Sequence, residues 1–235
     1  MTTTGPADPS VQPRVPLSRE RVLRAAVDLA DESGIESVTM RTLGQKLGVE
    51  AMSLYNHVAG KEDILDGMVD VVVSEINDAT GGIAGDWKTA MRRRILAARE
   101  VLLRHRWAPN VLESRTNDSA PLMRYYESLI GLFRTGGFST DLTHHALHAL
   151  GTRALGYTHE PFDDSQPLPD PSLLARQLAG EYPNTAAMLE NVSHDADTTL
   201  GWCDDQFEFE FALDLLLDGL ERVRDAESTS AQTPS

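Results

Sequence analysis

The chain has 235 residues, 41% of them hydrophobic and 24% charged, which is enough apolar material for a buried core and the balance of an ordinary soluble globular protein. Its formal net charge of −15 argues against a uniformly basic coat for nucleic acid, and its one cysteine, Cys203, excludes an intrachain disulfide. No apolar run approaches the roughly 18 residues of a membrane span and no signal peptide is legible, so a cytoplasmic protein without a membrane partner is expected.

Residues 1–16 are Pro-rich, polar and aperiodic, and read as a disordered arm in which Arg14 is a tethered tail residue. The first helix is expected from about Ser18 to Ser33. Ser18 caps it, Val22, Ala25, Ala26, Leu29 and Ala30 form its apolar stripe, and Gly34 stops it.

Residues 38–65, VTMRTLGQKLGVEAMSLYNHVAGKEDIL, then read as a helix, a tight turn and a second short helix. Thr39 is the N-cap, since its hydroxyl can accept from backbone N–H groups two or three residues on. A capping box is not expected, because position 42 is Thr rather than Glu or Gln. Leu43 and Leu47 make one apolar stripe, and Gly48 ends the helix in the left-handed conformation. Val49 plugs the crossing, and a second helix is expected over Ala51–Val58 with Leu54 and Val58 turned inward.

That leaves Ala51, Met52, Ser53, Tyr55, Asn56 and His57 on or near the outward face. In a helix-turn-helix the second helix enters the major groove and its first residues reach base edges. Ser53, Tyr55 and His57 carry donors for phosphates, and Asn56 has an amide that matches an adenine edge. Lys61 opens the next helix, where its ammonium and the helix N-terminus can meet one phosphate. Residues 1–66 hold seven basic against ten acidic groups, yet within 38–61 the count is three to one (Arg41, Lys46 and Lys61 against Glu50). A locally positive face on an acidic chain limits non-specific adhesion to DNA.

The string LGVEAMSLYNHVAGKEDIL resembles the signature of TetR-family repressors in its turn Gly, its Leu-Tyr pair, its His and its Lys at fixed spacing. The resemblance implies a three-helix DNA-binding head from the first helix through Lys61. It implies that Arg41 and Ser53 touch base or backbone, that Tyr55, His57 and Lys61 hold phosphates, and that Ala51, Met52 and Asn56 set sequence preference. Thr39 joins this DNA-facing set. Ala51, Met52 and Asn56 depart from the tetracycline-repressor pattern, so a different operator is expected.

The next helix, about Lys61 to Ala79, carries Ile64, Leu65, Met68, Val72 and Ile76 and reads as a lever from head to body. GGIAG at 81–85 is a loop without the strand or Lys-Ser of a phosphate-binding turn. A long helix follows from Trp87 to about His105 on Met91, Ile95, Ala98 and Leu102. The Arg92, Arg93 and Arg94 run near its start reads as a solvated face. Pro109 interrupts, with a bend at Trp107 and Asn110. Helices are expected over 120–135 (Leu122, Tyr125, Tyr126, Leu129, Phe133) and from a Ser139 cap to about Leu155.

A Pro- and Asp-rich loop occupies 160–171, and shorter helices fill 172–181 and 185–193. The last helix, Asp205 to about Arg224, repeats Phe209, Leu213, Leu216, Leu220 and Val223, with Phe207, Phe211, Leu215 and Leu217 off that stripe. Apolar residues on two faces suggest a partner subunit. The TetR-type body that FEFALDLLLDGLERV resembles implies a homodimer through this helix and the one at 139–155, with Leu147, Leu150, Phe209, Leu213, Leu216 and Leu220 at the interface. With no convincing strand the fold is all-α. The expected parts are an arm (1–16), a helix-turn-helix DNA-binding domain (17–64), a helical ligand-binding and dimerisation domain (65–225) and a disordered tail (226–235).

Other chemistry is thin. His144, His145 and His148 form H-H-x-x-H, but further ligands for a metal are lacking, and His159-Glu160 is cut short by Pro161. No nucleophile elbow, di-iron pair or nucleotide-binding glycine motif occurs, so neither an enzyme nor a cofactor is expected. Candidate lining residues for a small-molecule effector are His105, Trp107, Tyr125, Tyr126, His144 and His148. The acidic body favours a neutral or cationic, partly aromatic ligand. The expected function is a homodimeric, sequence-specific DNA-binding transcriptional regulator, a repressor released from a palindromic double-stranded operator by a small molecule. The alternative is a helical ligand-binding or adaptor protein with a vestigial DNA-binding head.

Overall fold

Ser18 caps the first helix. Its hydroxyl accepts from the backbone N–H of Arg21 at 3.2 Å, and α1 (Arg19–Ser33) runs until Gly34, at φ +80°, stops it. The computed structural model describes residues 16–82, 85–115, 118–155, 171–191 and 205–231. These residues form α-helices and no strand. Most of the arm, residues 83–84 of GGIAG, His159-Glu160, most of the 160–171 loop and Cys203 lie outside the described residues.

The chain divides into two units. The first comprises the residues up to Gly82 and Ala97–Glu127, and the second comprises Ile83–Leu96 and the residues from Ser128 onward. In the first unit a short 3-10 turn, Ile35–Ser37, leads from α1 to α2 (Met40–Leu47), α3 (Ala51–Leu54) and α4 (Lys61–Thr80). α1 packs on α2 and α4, and α2 on α3. Val22, Ala26, Leu43, Leu54, Ile64 and Met68 are all but fully buried at the centre of one apolar cluster. The expected lever, α4, lies in this unit over its whole length.

α5 (Trp87–Arg104) and α7 (Ala120–Thr135) each contribute residues to both units. Between them, where a bend was expected, lies α6 (Ala108–Glu113). Pro109 sits in its first turn, where no intrahelical donor is required of it, so it starts a helix instead of only interrupting one.

Polar links bind the first unit as well as its apolar cluster. Arg19 of α1 clasps Asp63 of α4 through two hydrogen bonds of 2.6 and 2.7 Å, and Asp63 also accepts from the N–H of Ala59. Asp31 of α1 accepts from the Trp107 indole at 2.7 Å, and Nδ1 of buried His105 lies 2.9 Å from the same carboxylate. The other ring nitrogen of His105 lies 3.2 Å from Glu75 of α4. Arg115 bridges Glu62 and Asp66 on α4.

The second unit holds α8 (Thr140–Leu155), α9 (Pro171–Leu178), α10 (Pro183–Asn191) and α11 (Asp205–Ala231). Trp87 packs edge-on against Phe138 at 4.6 Å and tilted against Phe133 at 6.1 Å, and the Arg224 guanidinium lies 5.5 Å over Trp87. Gly136 leaves room for that indole, since a Cβ there would come within 2.6 Å of Trp87.

α11 corrects two expectations. It continues through Ala231, so residues 226–231 are helical instead of belonging to a disordered tail. Ser228, Thr229 and Ser230 return their hydroxyls to the carbonyls four residues back, and no Gly or Pro intervenes. Its buried stripe is Phe209, Leu213 and Leu217, a spacing of four, with Leu216 and Leu220 only half-buried and Val223 exposed.

The Arg19–Asp63 pair gives a pH test. Hydrogen bonds from Arg19, and then from Ala59, hold the Asp63 carboxyl below its usual range. A depressed folded pKa stabilises above the unfolded value, about 3.9, and that contribution disappears as pH falls through the folded value. Arg19→Met should therefore melt below wild type by a constant margin near neutrality, with the margin closing on acidification below the ordinary Asp pKa. Thermal unfolding across an acid series measures it, and a margin that stays constant would show that the pair is not coupled to folding.

Candidate nucleic-acid interface

The interface grows from the cap of α2. Thr39 accepts from the N–H of Thr42 at 3.1 Å, and Thr42 Oγ1 in return accepts from the N–H of Thr39 at 3.0 Å. This is a capping box, contrary to the sequence expectation. A threonine hydroxyl closes the reciprocal pair that a Glu or Gln ordinarily makes. Thr42 also donates to the Ser37 carbonyl at 2.7 Å, tying the cap to the preceding turn.

Gly48 ends α2 at φ +68°, ψ +35°, the left-handed cap that its position predicts. The chain then folds back hard on α2. A Cβ on Gly44 would lie 2.9 Å from the Val49 carbonyl oxygen and 3.2 Å from the Ala51 nitrogen, both backbone atoms. Sequence reasoning missed Gly44. The available signal was a glycine inside a helix, which costs about 0.5–1 kcal/mol relative to Ala and so asks for a packing reason.

α3 is shorter than expected. It is helical over Ala51–Leu54, and residues 55–57 follow in tight turns, with the Tyr55, Asn56 and His57 N–H groups bonding three residues back. Leu54 and Val58 are buried, which anchors the segment from below. The turns cost little here because burial of those two residues fixes the segment, rather than continuation of the helical ladder.

On the outward side Met52 is 74% exposed and Tyr55 49%. Arg41, Asn56 and Lys61 are also exposed, and Ala51, Ser53 and His57 are half-buried. Lys46, one of the three basic groups of the stretch, is held by Glu32 at 2.8 Å. Arg41 and Lys61 form no ion pair among the described residues, so both cations are free for an external anion. Thr39 is exposed, although its hydroxyl serves the cap.

The six expected effector-lining residues are not brought together within one unit. His105, Trp107, Tyr125 and Tyr126 belong to the first and His144 and His148 to the second. His105 and Trp107 are buried with their polar atoms engaged by Asp31 and Glu75. Tyr125 is half-buried and Tyr126 exposed. His144 and His148 stand exposed on one face of α8, their rings 4.6 Å apart. Among the described residues no group of three or more His, Cys, Asp or Glu is arranged to hold a metal ion, and no helix is long and apolar enough to cross a membrane.

Of the expected dimer residues, Phe209, Leu213 and Leu150 are buried within their own chain, and Leu147, Leu216 and Leu220 are half-buried. The exposed apolar face of α11 is instead Phe207, Phe211 and Leu215 at 62%, 54% and 57%. Successive spacings of four carry the buried side from Leu213 to Leu217, where the 4-3-4-3 reading went to Leu216, and leave Phe207, Phe211 and Leu215 off the stripe and open, as the sequence placed them.

Comparison with known proteins agrees with this geometry. The family model "Bacterial regulatory proteins, tetR family" matches residues 22–68, and "Tetracyclin repressor-like, C-terminal domain" matches 82–224. The chain is 30% identical over 229 residues to the HTH-type transcriptional repressor DrrR1 of Streptomyces coeruleorubidus, covering 91% of this chain and 80% of that protein. It is 31% identical over 156 residues to the Escherichia coli tetracycline repressor protein class D, covering 66% and 71%. The crystal structure of a possible TetR family transcriptional regulator from Streptomyces coelicolor A3(2) superposes with a TM-score of 0.69 at 33% identity, over 88% of this chain and 100% of that one.

Gly44 is the sharpest local test. Filling it with a methyl group gains about 0.5–1 kcal/mol of helix propensity but forces backbone apart, an overpacking cost of about 1–3 kcal/mol. Gly44→Ala should lower the melting temperature and weaken DNA binding together. A variant with unchanged stability and DNA affinity would show that the α2–α3 approach is slack.

Proposed function

Because the chain belongs to the TetR family of bacterial transcriptional regulators, we propose that it acts as a homodimeric repressor released from a palindromic operator by a small molecule. The observation that supports the DNA-facing part is that Arg41 of α2, Met52 of α3, Tyr55, Asn56 and Lys61 at the start of α4 are all exposed while Leu54 is buried. Lys61 begins α4, so its ammonium and the first backbone N–H groups of a 20-residue helix address the same phosphate. Tyr55 and His57 hold backbone, and Asn56 reads a base edge. Met52 supplies apolar contact of the kind a thymine methyl takes.

A dimer places two such heads on half-sites about one helical turn, ~34–36 Å, apart. The face of α11 formed by Phe207, Phe211 and Leu215 supports pairing, since three large apolar side chains at spacing four are otherwise left in water. Release requires that the effector bind the DNA-competent and the released arrangements unequally. Relatives that carry the name tetracycline repressor support ligand control in kind, without identifying the ligand here.

Salt-titrated binding to DNA flanking the protein's own gene tests the DNA reading. Tyr55→Ala and Lys61→Ala should weaken binding to all sequences alike, with Lys61→Ala lowering the salt slope by about one unit. Asn56→Ala should relax preference at one base pair, at a cost of about 1–3 kcal/mol there. Salt-insensitive or absent binding, on selected random DNA as well, would leave the head vestigial.

Sedimentation velocity tests the pairing face. Phe211→Asp should convert the dimer to a folded monomer, and a variant that stays dimeric would move the interface off this face.

A further inference from the structure

Arg94 occupies a place on α5 that its sequence does not advertise. Trp87, Ala90, Met91, Ile95, Ala98 and Val101 are the buried positions of that helix, and position 94 falls seven after Trp87, four after Ala90, four before Ala98 and seven before Val101. The arginine therefore stands on the inward stripe, half-buried, instead of on a solvated face with Arg93. Its Nη1 donates to Ser128 Oγ of α7 at 2.8 Å. Its Nε is closed off from solvent and has no hydrogen-bond partner among the described residues. Among the described residues the Nη1 bond to Ser128 is the one hydrogen bond the Arg94 side chain makes, and none comes from its Nε–Nη2 edge.

Neighbouring cations are treated differently. Lys88 meets Asp218 and Glu221 at 2.6 and 2.7 Å, Arg92 meets Glu210 and Asp214 at 2.6 Å each, and Arg224 meets Asp225 at 2.7 Å. The chain carries 36 acidic residues against 21 basic ones, so carboxylates are plentiful. None of the described ones pairs with Arg94. An unmet buried donor on a charged group is unfavourable, and a planar fork is matched best by a carboxylate.

We propose that Arg94 anchors an anion subsite in the body, taking the carboxylate of a small, otherwise apolar acid on its Nε–Nη2 edge beside Met91 and Ile95. This rests on the reading of the chain as a ligand-released regulator and names the chemical class of the ligand. It reverses the sequence expectation of a neutral or cationic effector, because that expectation counted charges without knowing which were paired. Nε is covered, so the acid is admitted only by displacing the side chains over it. The acid therefore prefers one packing of α5 against α7 to another, which is the unequal binding an effector needs.

The test compares melting temperatures of the full chain with benzoate and 1-naphthoate against benzamide and 1-naphthamide, at matched ionic strength. The acids should raise the melting temperature of wild type and the amides should not. Arg94→Met should melt no lower than wild type in the absence of ligand and lose the response to acids. Arg94→Lys, which keeps the charge without the fork, should respond more weakly than wild type. A lower melting temperature for ligand-free Arg94→Met would assign the arginine to packing and overturn the proposal. So would wild type responding equally to acid and amide, or to neither at millimolar concentration. Operator binding followed in parallel separates the two readings: acids that bind through Arg94 without releasing DNA sink the release mechanism and leave the subsite standing.

Discussion

The Val49 carbonyl pressed against Gly44 is the contact on which the DNA-facing surface depends. A side chain at position 44 would hold α3 away from α2, and Leu54 would lose its seat in the core. Two glycines divide the work. Gly48 supplies the left-handed turn, and Gly44 supplies the room for the returning chain. Everything outward of this crossing is placed by it, from Met52 to His57.

Polar links join the first and fourth helices of the first unit in addition to its apolar packing. Arg19 and Asp63 join the start of α1 to the start of α4, and His105 lies between Asp31 near the end of α1 and Glu75 near the end of α4. The Arg19–Asp63 link is bidentate but half-exposed, and His105 is buried between its two carboxylate partners. The Arg19–Asp63 link ties the first turn of α4, which Lys61 opens, to the start of α1. A swing of α4 alone is opposed by both links, so a released state must carry α1 along or break them.

The acidity of the chain is organised rather than diffuse. In the second unit, α11 aligns Glu210, Asp214, Asp218 and Glu221 along one side, where they neutralise Arg92 and Lys88 of α5. Within the helix-turn-helix stretch, Lys46 is met by Glu32 while Arg41 and Lys61 form no ion pair among the described residues. The apolar face of Phe207, Phe211 and Leu215 lies beside this acidic row, so charge frames the patch proposed for pairing.

Local pattern determined much of this protein. Ser18, Thr39, Gly34 and Gly48 marked helix ends because capping and left-handed φ are decided within a few residues, and the spacing of Leu43, Leu54 and Val58 identified the inward side of the head. The outward residues of α3 followed by subtraction. Tertiary structure decided what pattern cannot reach. It alone showed that Thr42 completes a capping box, that Gly44 is a point of backbone contact, and that α11 buries Phe209, Leu213 and Leu217 while exposing Phe207, Phe211 and Leu215. The same holds for charge: composition counted Lys46 and Arg94 alike as basic, but only folding brings Glu32 to Lys46 and no described carboxylate to Arg94. Periodicity records which residues share a face of one helix. Which face meets the core, and which charge meets a partner, depends on segments far apart in the chain, and those meet only in the folded molecule.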